Sequence, residues 1–141
     1  METASTNESL FNKSKDLILK ILDSKTRDEI VNTVEACFVK EFKVDKCCMK
    51  FFKGKQLDDI ENTIGLSLHK GAVYCGSLSA EKTVTLFDDR KIESMVVAVL
   101  VLENEICLLM LGSFERTKYL GDEDTTFIEY IRDVLEKKLT Q

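Results

Sequence analysis

The stretch from Ser94 to Ser113 is the most continuous apolar run of the chain, and its pattern predicts a β-hairpin. The run is interrupted at Glu103-Asn104-Glu105, where the turn is expected. Successive side chains of a strand point to opposite faces, so both faces of each arm are apolar. A half-exposed antiparallel strand would alternate apolar and polar residues instead. The hairpin is therefore predicted to lie at the centre of the molecule, with cover on both faces.

Two helices are predicted ahead of this hairpin. From about Glu8 to Asp23, apolar residues recur at helical spacing. After a short break, Thr26 precedes Glu29 by three positions, the spacing of a capping box, in which each side chain can bond the other's backbone N–H. A second helix then runs to about Phe42. The short connection predicts that the two helices are neighbours.

The middle and the end of the chain contain shorter elements. Val44–Phe52 is predicted to be a strand, and Val73–Gly76 a short one. The acidic and amide residues in Leu57–Leu68 favour a loop or an irregular edge strand. A short helix is predicted over Ala80–Phe87. A final helix follows the hairpin, from about Leu120 to Leu139, and carries a clear apolar stripe.

This order of elements predicts the α+β class, with an antiparallel sheet and helices grouped mainly on one face. The two N-terminal helices and the C-terminal helix would cover that face. A short helix and loops between Leu57 and Asp89 would cover the other. Because such cover packs less tightly than long helices, a cavity between it and the sheet is the expected place for a small molecule.

Composition limits the classes of function. The 141 residues predict one domain over residues 10–139, after a disordered polar tail at residues 1–9. The net charge is −5 and no Lys/Arg cluster stands out, which disfavours nucleic acid and anionic membrane as partners. The apolar runs around the turn span about ten residues, whereas a membrane helix needs roughly 20. An odd number of cysteines, five, without a signal peptide predicts a reduced, cytoplasmic protein.

Three stretches carry a resemblance to a known family. They are Tyr74-Cys75-Gly76-Ser77-Leu78-Ser79-Ala80-Glu81 followed by Leu86-Phe87, then Leu111-Gly112-Ser113, then Tyr119-Leu120-Gly121-Asp122-Glu123-Asp124-Thr125-Thr126-Phe127-Ile128. In this order the chain resembles a GAF domain, the small sensory module related in fold to PAS. Together the three stretches resemble an uncharacterised bacterial GAF-like family, in which a Cys-Gly-x-Leu segment precedes a short helix and Gly-Ser ends a strand.

The resemblance implies a GAF/PAS-like sheet of about five to six strands and a non-enzymatic sensory role in signalling. It also implies a homodimer formed through the terminal helices. Family members often carry a helical segment ahead of the domain, and only about ten residues precede the first predicted helix here, so either that segment is missing or the chain is a fragment. The motifs of cyclic-nucleotide and bilin-binding GAF domains are not found, and no cofactor is expected.

The predicted pocket lies between the hairpin and the segment from Tyr74 to Phe87. Its candidate lining residues are Tyr74, Cys75, Ser77, Phe87, Met95 and Ser113. Ligand binding would favour one arrangement of the helices over another. The alternative is a purely structural dimerisation or adaptor domain, in which the chain's own large apolar side chains fill this space.

Catalytic and metal chemistry is weakly supported by the residues. His69 stands alone at a predicted turn, without a companion nucleophile motif. The acidic runs Asp88-Asp89 and Asp122-Glu123-Asp124 lack calcium-loop spacing and fit helix ends. The cysteines lack zinc spacing, so no metal site is expected. Cys75, beside Gly76 and a predicted helix start, is the candidate for redox sensing. A GAF-fold methionine-sulfoxide reductase is a further alternative, although its set of resolving cysteines is not evident.

Overall fold

The structure is a computed structural model that describes residues 2–42, 44–65, 73–76, 84, 86–87, 91–115 and 126–140, with backbone alone at residues 2–11, 75–76 and 126–127. Four helices and four strands have their bounds within these residues. In chain order they are α1 Glu2–Asp23, α2 Arg27–Lys40, β1 Lys46–Phe52, α3 Lys55–Ile64, β2 Val73–Gly76, β3 Ser94–Val101, β4 Ile106–Ser113 and α4 Thr126–Leu139. Val84, Leu86 and Phe87 also have helical backbone, as predicted for Ala80–Phe87. The α+β class is confirmed.

The described strands form one antiparallel sheet in the order β1-β4-β3-β2. β3 and β4 form the predicted hairpin, with Ser94 opposite Ser113 and Val101 opposite Ile106. β1 and β2 pair with its outer edges, so the hairpin is central, as predicted. The expected five to six strands are wrong for this part of the chain, because the sheet has four. The strand bounds predicted for Val73–Gly76 are confirmed, whereas β1 begins at Lys46 rather than Val44.

The hairpin is buried on both faces. The side chains from Met95 to Leu100 are at most 3% exposed, and those from Ile106 to Leu111 at most 4%. Burying one aliphatic side chain contributes about 1.5–3 kcal/mol. Leaving several of them in water would therefore cost as much as a domain's net stability of about 5–15 kcal/mol. This is the physical reason why layers form on both sides of these two strands.

Three helices cover one face of the sheet. α2 packs against β1, α4 packs against β3, and α1 packs against both α2 and α4. Their inward side chains form a core with no solvent exposure, composed of Leu17, Ile21, Val34, Phe38, Ile131 and Leu135. The buried side chains of α2 are Ile30, Val34, Cys37 and Phe38. α1 begins at Glu2, earlier than the predicted start at about Glu8. None of the helices in the described ranges combines the length and apolar character needed to cross a bilayer.

Thr26 and Glu29 cap the start of α2 as predicted, but Glu29 bonds a different backbone N–H from the one used in a capping box. Thr26 Oγ1 accepts a hydrogen bond from the Glu29 backbone N–H at 3.1 Å. Glu29 Oε2 accepts one from the Lys25 N–H at 2.7 Å, whereas a capping box would use the N–H of Thr26. An N-cap of this kind contributes about 1 kcal/mol. It fixes the point at which the chain turns from α1 into α2.

The segment after β1 corrects a prediction. Of the stretch Leu57–Leu68, expected to be a loop or an irregular edge strand, residues 57–64 lie in the helix α3, and residues 66–68 lie outside the described residues. Leu57, Ile60 and Ile64 are buried on one side of α3, at the three- and four-residue spacing of a helix face. Gly54 and Gly65 flank the helix with positive φ values of 60° and 73°. The acidic residues that favoured a loop occupy its solvent side.

Candidate functional site

The candidate site lies on the face of the sheet opposite α1, α2 and α4. Strand alternation puts one half of the hairpin side chains on this face. They are Met95, Val97, Val99, Ile106, Leu108 and Met110. α3 covers them together with Leu86 and Phe87, and we call α3 and these two residues the lid. We call the strand residues and the lid together the lid-side cluster.

Three of the predicted pocket residues are brought together here. Met95 and Phe87 belong to the lid-side cluster and are 3% and 1% exposed. Tyr74 is half-buried and packs against this cluster from β2, where it stands opposite Val97. The two strands are neighbours, so Tyr74 borders the same patch of sheet as Met95. The sequence therefore identified three residues that share one surface.

Phe87 of the lid lies against the sheet at Gly112, which stands opposite Met95. A Cβ atom built on Gly112 would lie 2.7 Å from Ile92 Cδ1 and 3.1 Å from Phe87 Cε1. Any side chain here would have to displace these two neighbours. The glycine thus allows Phe87 to rest directly on the strand. Close packing is a default role for a glycine inside a strand, and Gly112 has that role here.

Ser113 lies on the other face of the sheet from these residues. Residues two apart in a strand share a face, so Ser113 lies on the same face as Leu111, which packs into the helix-side core. Its hydroxyl donates to Asp45 Oδ2 at 3.3 Å and accepts from the Glu115 N–H at 3.0 Å. Ser94, its register partner, donates to the Glu115 carbonyl at 2.6 Å. The bond to Asp45 holds the end of the hairpin to the start of β1. Because Ser113 lies on the helix-side face, it is not part of the surface shared by Tyr74, Phe87 and Met95.

Two predicted residues cannot be assigned to the cluster. Cys75 stands opposite Val96 in the pairing of β2 with β3, and its backbone alone is described. Ser77 lies outside the described residues. Redox sensing by Cys75 therefore stays a prediction.

The whole chain, residues 1–141, matches a family model described as "Protein of unknown function, DUF484". The chain belongs to this family. No curated protein matches it. The family description names no activity, so the function of this DUF484 chain has to be argued from its own residues.

The cysteine thiols described in this DUF484 chain are free, and their environment keeps them protonated. Burial raises the pKa of Cys107 to about 12. Burial also raises the pKa of Cys48, although the nearby Lys46 opposes the shift. The pKa of Cys47 lies well above its usual value for the same reason. Because the thiolate is the reactive form, these three thiols are poor nucleophiles and poor metal ligands.

Metal ligands do not converge among the described residues. No group of three or more His, Cys, Asp or Glu side chains there is placed to hold a metal ion. His69 and the runs Asp88-Asp89 and Asp122-Glu123-Asp124 lie outside the described ranges. Their assignment to turns and helix ends stays a prediction.

The helix side of the DUF484 chain has an open groove of about 410 Å³ between α1 and α2. It is lined by Lys20, Asp23, Ser24, Glu29, Asn32 and Thr33. Small-molecule sites are usually lined mostly by hydrophobic and aromatic side chains, whereas the six residues named here are all polar or charged. The groove also lies on the opposite face from the lid-side cluster, so we assign it no role in the candidate site.

Proposed function

We propose that this DUF484 chain is a non-enzymatic, GAF-like regulatory domain that binds a small molecule between its sheet and its lid. The observation that carries the proposal is the two-sided burial of the hairpin arms 95–100 and 106–111, by three helices on one face and by α3, Leu86 and Phe87 on the other. This arrangement agrees with the architecture that the resemblance to GAF and PAS modules implies.

The chemistry of the lid-side cluster favours an apolar ligand. Its strand residues are aliphatic or Met, and Phe87 contributes an aromatic face. Tyr74 lies at the border of the cluster and carries a polar hydroxyl group. We assign this residue to ligand recognition. The side chains beneath the lid have almost no exposure, so the ligand enters when the lid moves away from the sheet. Binding then stabilises one position of the lid and changes the state of the domain.

The setting that fits this role is the cytoplasm. Cys37, Cys47, Cys48 and Cys107 are free thiols. Disulfides are rare in the reducing cytosol, where thiols of this kind persist. We therefore propose that the domain acts in signalling in the cytoplasm.

Native mass spectrometry of freshly purified protein tests ligand binding directly. We expect a stoichiometric small molecule to remain bound, and a thermal shift with apolar metabolites. Tyr74→Ala should weaken that binding at least tenfold, because it removes the aromatic border of the site. Tyr130→Ala is the matched control, since Tyr130 is 64% exposed on α4, on the other face of the sheet.

A specific observation favours a second function, a structural domain with a filled interior. Val97, Leu108 and Met110 have no exposed surface, so no space large enough for a water molecule adjoins them. In that case the protein carries no bound molecule, and no metabolite in a broad panel raises its melting temperature. That result would contradict ligand binding and would leave the fold assignment in place.

A further inference from the structure

Two lysines of β1 lie on the same face of the sheet as the lid. Side chains of a strand alternate between faces, so Lys46, Cys48, Lys50 and Phe52 share one face of β1. Cys48 and Phe52 pack against the lid-side cluster, which identifies this face as the lid side. Lys46 and Lys50 are half-buried there. The apolar cluster therefore has a positively charged border on β1.

The charges of both lysines reach the thiol of Cys48. Burial raises the pKa of Cys48, whereas the positive charges of Lys46 and Lys50 lower it. Glu35 opposes them, but this carboxylate belongs to α2 on the other face and accepts a hydrogen bond from the Met49 N–H. Within the described part of the chain, the Lys50 ammonium group has no hydrogen-bond or ion-pair partner. Lys50 thus offers a positive charge at the edge of the cluster.

The lid contributes an apolar surface to the centre of the same face. The residues that α3 buries against the cluster are all aliphatic: Leu57, Ile60 and Ile64. Among the acids of this helix, Asp58 and Asp59 are exposed and Glu61 is half-buried. The middle of the lid-side cluster is therefore apolar, and β1 supplies positive charge at its border.

A row of residues crosses this face from one border to the other. Met110 of β4 stands opposite Cys48 of β1. Val97 of β3 stands between Met110 and Tyr74 of β2. Neighbouring strands are about 4.8 Å apart, so the three intervals of this row span about 14 Å. The candidate site is thus elongated, with Tyr74 at one border and the two lysines at the other.

We infer that the ligand of the lid-side cluster is an amphipathic carboxylic acid, a molecule with an apolar body and one carboxylate group. The apolar body lies along the row between the strands and the lid, and the carboxylate binds the ammonium group of Lys50, with Lys46 beside it. A charge-assisted hydrogen bond is roughly twice as strong as a neutral one, so the acid is favoured over a neutral molecule of the same shape. The inference rests on the proposed ligand binding and names the class of ligand.

Isothermal titration calorimetry with three probes of one chain length tests this charge preference. The probes are decanoate, decanol and decyltrimethylammonium, each below its micellar concentration. Decanoate should bind at least tenfold more tightly than decanol, and the cation should bind most weakly, because the lysines repel it. Equal affinities of decanoate and decanol would overturn the inference and leave ligand binding in place. If none of the three binds, the inference is overturned as well, and native mass spectrometry decides separately whether another ligand is present.

Variants of Lys50 test which residue holds the carboxylate. Lys50→Gln should lower the affinity for decanoate at least tenfold and leave that for decanol unaltered, because it removes the charge and keeps a polar side chain. Lys50→Arg keeps the charge and should retain the preference. Lys15→Gln is the matched control, since Lys15 is an exposed residue of α1 on the other face of the sheet. Circular dichroism checks that each variant retains the fold.

Tyr74→Ala locates the bound probes. It should weaken decanoate and decanol alike, because Tyr74 borders the apolar part of the site. Binding that Tyr74→Ala leaves unaltered would lie elsewhere on the protein and would overturn the inference. A decanoate preference that survives Lys50→Gln, or that Lys15→Gln also abolishes, would show that the overall surface charge is responsible, and this result would overturn it too.

Discussion

At the scale of single residues, Gly112 and Cys107 show how tightly the sheet is covered. Gly112 leaves room for Phe87 and Ile92 on the lid side. Cys107, on the opposite face of the same strand, has no solvent exposure and packs into the helix-side core. Both residues lie in β4, the strand between β1 and β3. Their environments give two predictions that probe the two layers separately.

Gly112→Ala should lower the free energy of unfolding by about 1–3 kcal/mol, the usual cost of overpacking. The added Cβ would lie 2.7 Å from Ile92 Cδ1, the flexible end of a side chain. Ile92→Val removes that atom, so the double variant should lose less stability than the sum of the single changes. Urea unfolding of the three variants measures this coupling.

Gly54→Ala provides the control for Gly112→Ala. Gly54 has a φ of +60° and nothing within 4 Å of an added Cβ, so its substitution acts through backbone strain alone. Its effect should add to that of Ile92→Val without coupling. Strict additivity at Gly112 as well would show that Ile92 does not pack against that residue.

The pKa of Cys107 predicts a loss of stability at high pH. Burial raises this pKa from the usual 9.0 to about 12. Between these values the unfolded thiol has lost its proton while the folded thiol keeps it, so the unfolded state binds fewer protons. The contribution of Cys107 to stability therefore falls by about 1.4 kcal/mol per pH unit as the pH rises above 9.0.

Urea unfolding between pH 9 and 11 checks the Cys107 prediction. Cys107→Ala removes the titrating group, so its stability should decline less steeply with pH than that of the parent protein. The comparison uses the slopes, because the smaller side chain lowers stability at every pH. Equal slopes in the two proteins would show that Cys107 ionises as readily in the folded state as in the unfolded one.

At the scale of elements, side chains from α2 fix the position of the strands. The Arg27 guanidinium lies 4.3 Å from the centre of the Phe51 ring and forms an ion pair with Glu105 in the hairpin turn. Glu35 Oε2 accepts a hydrogen bond from the Met49 N–H at 3.0 Å. β1 is the edge strand of the described sheet, and this N–H is directed away from β4. An unpaired edge would be open to pairing with another chain.

Glu35→Ala should therefore have two effects. It should lower the free energy of unfolding by about 1 kcal/mol, because the Met49 N–H loses its acceptor. It should also increase light scattering on heating, because the edge of β1 becomes free to pair with other chains. Glu35→Gln keeps an acceptor oxygen and should show a smaller change in both measurements. Equal behaviour of the two variants would mean that this hydrogen bond does not protect the edge.

The elements also show which sequence signals were sufficient. Thr26 and Glu29 predicted the start of α2, because capping depends on residues that are close in sequence. α3 was missed although Leu57, Ile60 and Ile64 have helical spacing between two glycines. Acidic residues favour a loop, but the solvent-facing side of an amphipathic helix accommodates them as well. Ser113 is predicted to line the pocket, but the alternation through Leu109 and Leu111 indicates the helix-side face instead.

At the scale of the whole molecule, one apolar hairpin organises both layers. The helix-side layer joins α1, α2 and α4 over a continuous core, and the lid covers the other face through α3, Leu86 and Phe87. The proposed ligand would act on the lid, on the face of the sheet opposite the three helices.

The sequence by itself determined that residues 94–113 form a hairpin buried on both faces, and that amphipathic helices precede and follow it. Those properties depend on the local alternation of apolar and polar residues, which can be counted along the chain. Only the tertiary structure decided the strand order, the contact of Phe87 and Ile92 with Gly112, and the protection of the Met49 N–H by Glu35. These contacts join residues far apart in sequence, and they depend on how the layers pack, which no local pattern specifies.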